Sequence, residues 1–96
     1  MLLRTVEFNE KSINWDDFSK ENNLLFLRYV EQHLRDILNL RGYVYLNQIC
    51  EYLGVGWDPG CVNTCIRVDK LHNDTLWFEL IQFDDGTYLV YIMNNE

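Results

Sequence analysis

TLWFELIQFDDGTYLVYIM, residues 75–93, holds two apolar and aromatic runs on either side of Asp84-Asp85-Gly86. Asp-Gly between two such runs is a strong hairpin signal, because glycine takes the left-handed turn position without a Cβ clash. The spacing predicts strands over 75–83 and 87–93. Leu76, Phe78 and Leu80 point opposite to Trp77, Ile81 and Phe83, and Leu89 and Tyr91 opposite to Tyr88, Val90 and Ile92. A strand covered on one side alternates apolar with polar. Strands apolar on both faces imply that the second face is covered too, by the N-terminal segment or by a partner.

Upstream, residues 61–69 alternate, with Val62, Thr64, Ile66 and Val68 on one face and Cys61, Asn63, Cys65, Arg67 and Asp69 on the other. This predicts a third strand, joined to the hairpin by a turn at Leu71-His72-Asn73-Asp74. Before it, Gly54-Val55-Gly56-Trp57-Asp58-Pro59-Gly60 is dense in breakers and reads as a loop. Leu27, Val30, Leu34, Ile37, Leu38 and Arg41 recur at spacings of three and four, with Leu24 extending the stripe, so about 21–41 reads as an amphipathic helix. Glu31 and Arg35 fall on its polar face as an i,i+4 pair, and Gly42 supplies the stop. Asn47 reads as the N-cap of a second helix ending at Leu53-Gly54, about 47–53. Asn14 reads as the cap of a short turn over 15–18. The expectation is one α+β domain over residues 1–96. It has two helices (about 21–41 and 47–53) packed on a three-stranded antiparallel meander (about 61–69, 75–83, 87–93), with 1–13 a short strand or arm.

Composition narrows the function. The 96 residues carry a formal charge of −7, and that charge is not evenly spread. Residues 1–48 hold six basic and seven acidic groups, whereas residues 49–96 hold two basic and eight acidic groups. The acidity therefore belongs to the half that reads as sheet. A phosphate-backbone binder needs clustered Lys and Arg, so direct nucleic-acid binding is not expected, nor is adsorption to an anionic membrane. No basic n-region precedes an apolar run at the start, and the expected location is the cytoplasm. Three cysteines, Cys50, Cys61 and Cys65, fit a reducing compartment rather than a disulfide framework.

Asn14-Trp15-Asp16, Phe26-Leu27-Arg28-Tyr29-Val30-Glu31, Arg41-Gly42-Tyr43-Val44-Tyr45-Leu46-Asn47-Gln48 and Tyr52-Leu53-Gly54 carry a resemblance. They look like a family of small uncharacterised proteins of Gram-positive bacteria, their phages and mobile elements. Its members share a helix running into a GYxxLN turn, a short helix ending in LG, a glycine loop and a C-terminal β portion. The resemblance spans roughly residues 14–60 and implies a phage or mobile-element setting in a bacterial host, with no activity attached. In members a Gly–Trp pair is expected inside the strand after the loop. Here Trp57 lies within the loop, and 61–68 lacks that pair.

Candidate chemistry is sparse. On a regular strand Cys61 and Cys65 would sit about 13 Å apart, too far to share a zinc ion with His72, so no metal and no cofactor are expected. The chain has no GxSxG, P-loop or HExxH, and its two histidines, His33 and His72, lack an evident nucleophile partner. It is not expected to be an enzyme; a residual one would show a concave pocket with a perturbed titratable group. The sharper expectation is a protein partner bound through Asp69, Asp74, Trp77, Glu79, Asp84, Asp85 and Tyr88. A negative surface of this kind would suit inhibition of a basic host protein, such as a nuclease or defence factor. The competing expectation is a structural or assembly component, homo-oligomeric through the second apolar sheet face.

Overall fold

The computed structural model describes residues 2–67 and 76–94. The chain forms β1 (Leu2–Phe8), α1 (Lys20–Arg41), β2 (Tyr43–Tyr45), α2 (Leu46–Leu53), a 3-10 turn (Pro59–Asn63), β3 (Cys65–Arg67), β4 (Leu76–Gln82) and β5 (Tyr88–Asn94). Two helices packed with antiparallel sheets make this the expected α+β fold, with a different arrangement of strands. β4 and β5 form the hairpin, in register from Leu76↔Asn94 to Gln82↔Tyr88. Gly86 sits at φ +91° in its turn, and its N–H donates to the Phe83 carbonyl at 2.9 Å.

The third strand of that sheet is β1, not residues 61–69. The order is β1-β5-β4, with Val6 opposite Val90 and Phe8 opposite Tyr88. The segment expected to extend from Cys61 instead begins as a 3-10 turn. Pro59 stands at the turn's first position, where its fixed φ suits a helical start and its missing N–H costs nothing. The Cys61 N–H then donates to Asp58 O, and Thr64 Oγ1 to Gly60 O. Among the described residues of that segment the strand is Cys65–Arg67, and it pairs with β2 in a separate two-stranded ribbon, Val44 opposite Ile66. The outer part of the expected strand, Val68 and Asp69, and the turn with His72 and Asp74 lie outside the described residues.

Both helices cover one face of the β1-β5-β4 sheet. That face presents Val6, Phe8, Leu76, Phe78, Tyr88, Val90 and Ile92, all buried. α1 sets Leu27, Val30, Leu34 and Leu38 against them, and α2 adds Leu46, Ile49, Cys50 and Leu53. Burying each large aliphatic or aromatic side chain contributes about 1.5–3 kcal/mol, so this one cluster carries most of the driving force. Leu24, expected to extend the α1 stripe, is 39% exposed and lies outside the core.

The helix ends are set by local caps, one of which differs from expectation. Ser19 caps α1; its Oγ accepts from the Asn22 N–H at 3.1 Å. Residues 14–18 form no helix. They are held by Asn23, whose buried amide accepts from the Asp16 N–H and donates to the Asp16 carbonyl. Gly42 ends the helix as expected, at φ +88° with its N–H on Leu38 O. α2 starts at Leu46 with Tyr45 as its N-cap, so Asn47, expected to be the cap, is the second residue of the helix. Gln48 Oε1 takes the Tyr45 N–H at 3.1 Å and also the Arg41 guanidinium, doing from the third helical position what a capping side chain would do.

The polar side of α1 departs furthest from expectation. Glu31 does not pair with Arg35 across one helical turn. It is buried, accepts the Phe78 N–H at 2.6 Å and pairs with Arg28 at 3.2 Å. Arg35 Nε donates to Leu76 O at 2.7 Å, and Arg28 reaches Phe78 O at 3.4 Å. β4 is an edge strand, and edge backbone groups need partners when a helix lies against them. Three α1 side chains supply them.

Candidate protein-binding face

Alternation along the strands leaves a second face that neither helix touches. It is a grid of three rows. Trp77, Met93 and Leu2 form one, Glu79, Tyr91 and Thr5 the next, and Ile81, Leu89 and Glu7 the third. Ile81 is 45% and Leu2 49% exposed. Trp77, Leu89, Tyr91 and Met93 are half-buried, and Thr5, Glu7 and Glu79 are exposed. The apolar residues on both faces of β4 and β5 are thus real. The N-terminal segment does not cover the second face but joins the sheet at its rim and lengthens it. The Trp77 indole N–H points at the Glu79 carboxylate, 3.4 Å away.

The charges of this face have one sign. Of its nine side chains, Glu7 and Glu79 are acidic and none is basic. At the hairpin end Asp84 and Asp85 are exposed, and the Asp85 carboxylate accepts the Thr87 N–H at 2.9 Å. Below them an open depression of about 430 Å³ lies among Glu7, Glu10, Lys11, Phe83 and Asp85. It contains carboxylates, one ammonium and an exposed aromatic rim, without a histidine or cysteine. Of the residues expected to bind a partner, Trp77 and Glu79 lie on the grid and Asp84 and Asp85 at its end. Tyr88 does not belong there. It is 4% exposed and sits in the core, because it faces the same way as Val90 and Ile92. Asp69 and Asp74 lie outside the described residues.

Sequence reasoning missed Thr5, Glu7 and Leu2, since nothing local says which strand lies beside β5. It also missed an aromatic series on the helical side. The Tyr29 ring stacks on His33 at 5.9 Å, and His33 meets Tyr52 edge-on at 5.1 Å. The Arg41 guanidinium lies 4.5 Å over the Tyr43 ring. The i,i+4 spacing of Tyr29 and His33 was the available signal.

A further cluster joins β1 to the loop before the 3-10 turn. Arg4 and Asp58 form an ion pair at 2.8 Å, and Asp58 Oδ1 lies 3.6 Å from the Cys61 sulfur. The Arg4 hydrogen bond holds the Asp58 carboxyl below its ordinary range. Burial, reinforced by neighbouring Cys61, pushes the Cys50 thiol up to about 11. A thiol so placed is scarcely ionised at neutral pH and is a weak nucleophile. Among the described residues no three His, Cys, Asp or Glu side chains gather as a metal site. Among them also no helix is long and apolar enough to cross a membrane.

No family model, no curated protein and no solved structure matches the chain.

Proposed function

We propose that this protein acts by binding another protein through the uncovered face of its β1-β5-β4 sheet, and that the partner presents an apolar patch ringed by basic residues. One observation carries the proposal: an open sheet face with an apolar centre whose charged groups are all carboxylates. Trp77 and Tyr91 are the residue types that dominate binding energy when they fill a partner's pocket. Glu7, Glu79, Asp84 and Asp85 supply attraction that speeds encounter with a positive surface. The resemblance to a phage and mobile-element family supports a setting in the cytoplasm of a bacterial host. A basic host protein, such as a nuclease or defence factor held inactive, fits the chemistry. The role assigned to the chain is binding, with no catalytic step.

A second reading, self-association as an assembly component, draws on the apolar row of Trp77, Met93 and Leu2. The charges favour the first reading, because two copies face to face would bring carboxylates together with no cation on either face.

The purified chain is expected to be monomeric by light scattering; a stable dimer lost in Trp77→Ala would move the assignment to self-association. The partner is sought by affinity capture from a Gram-positive host, then purified and titrated. Its affinity should fall steeply between about 50 and about 500 mM salt. It should drop at least about tenfold for Glu79→Lys and for Trp77→Ala. A partner whose affinity ignores salt and both substitutions overturns the proposal.

A further inference from the structure

The two rims of the sheet are not alike. On β4 the Leu76 carbonyl is taken by Arg35, and the Phe78 N–H and carbonyl, which also point away from β5, by Glu31 and Arg28. β1, at the other rim, pairs among the described residues with β5 alone. Antiparallel alternation fixes which of its groups are free. Leu76 and Phe78 turn toward α1, so their partners on β5, Asn94 and Ile92, turn toward β1. Val90 and Tyr88 share that phase and bond Val6 and Phe8. Thr5 and Glu7 therefore point their N–H and C=O groups outward. Both residues are exposed, and both side chains also stand on the carboxylate-bearing face.

We infer that the partner of the proposed interface adds an extended segment alongside β1, bonding the main chain of Thr5 and Glu7 and setting a lysine or arginine beside Glu7. The inference rests on the face-binding reading and names how the partner engages it. The occupant is an extended strand because unpaired, evenly spaced backbone donors and acceptors are matched by another backbone. It is basic because Glu7 stands on the face beside that rim and shares the neighbouring depression with Glu10 and Asp85, where Lys11 is the one cation among the described residues. The usable length is short. The register shift between Leu2 and Arg4 breaks the ladder, and Arg4 is drawn to Asp58, so pairing is confined to Thr5–Phe8. Main-chain pairing thus fixes direction and register, and the apolar grid supplies affinity.

The test uses the full chain, ¹⁵N-labelled, with the probe acetyl-Lys-Val-Lys-Val-Lys-Val-Lys-amide. The probe should shift the Thr5 and Glu7 amides and slow their exchange by at least about tenfold. Thr5→Pro removes an N–H that points to solvent, so the variant should fold while binding the probe at least about tenfold more weakly. Shifts confined to Trp77, Leu89 and Tyr91, with full binding retained by Thr5→Pro, overturn strand addition and leave face binding standing. Shifts at neither set overturn strand addition by a basic segment, while face binding is decided separately by the salt and Glu79→Lys titrations of the partner.

Discussion

At the scale of the residue, Glu31 carries most. Its neighbours in sequence suggest a solvated helix position, yet it closes the Phe78 N–H and an arginine in a buried setting. Glu31→Ala leaves a buried donor without a partner and should cost about 2–3 kcal/mol in urea denaturation. Glu31→Gln keeps an acceptor oxygen and should cost less than half as much. Cys50 gives a second residue-level expectation. Its thiol is raised from an ordinary 9.0 to about 11, so the native state holds a proton that the unfolded chain has released. Stability from this group is fully present below about pH 9 and is lost as pH rises toward 11, by at most about 3 kcal/mol. Denaturation midpoints across that range should decline in the native chain and flatten in Cys50→Ala; equal slopes would show that another group is responsible.

Among the elements, the glycine caps offer a graded comparison. Gly42 and Gly54 both end helices with positive φ. A Cβ on Gly42 would meet open space, whereas one on Gly54 would lie 3.1 Å from Asn14 Nδ2 and 3.2 Å from Ile13 Cβ. Gly42→Ala should cost about 1 kcal/mol, the strain of a left-handed alanine alone. Gly54→Ala should cost clearly more, because the residue 9–15 segment must also move. Thermal melts of the two variants check the order. The same comparison explains what the sequence made legible. Gly42, Gly54 and Gly86 mark their stops and turn directly, because left-handed backbone leaves a local signature, and the 3.6-residue stripe of α1 does likewise. The β4–β5 hairpin was legible for the same reason. Which strand lies beside β5 is a non-local choice, and no periodicity in 61–69 or in 2–8 encodes it. Pro59 favours a 3-10 start that takes Cys61–Asn63 out of extended backbone, and β1 lies on the open side of β5. The candidate face was half legible: Trp77 and Glu79 followed from alternation. Tyr88 was misplaced because aromatic character says nothing about phase.

For the whole molecule, the asymmetry of the rims outweighs the net charge. Replacing both Glu31 and Arg35 by Ala strips the β4 rim of its partners on Phe78 N and Leu76 O. Such a variant should scatter light and bind thioflavin at concentrations where the native chain stays clear. A double variant that remains dispersed would mean that the masking side chains are dispensable for solubility. The acidic grid and the free β1 rim lie at the same side of the molecule, away from both helices, so the helical layer acts as a backing that fixes their geometry. With Arg35, Glu31 and Arg28 seated on Leu76 and Phe78, that stretch of β4 is closed to a further strand while the Thr5 and Glu7 groups of β1 point outward, so the sheet has a polarity that directs strand addition to its β1 side.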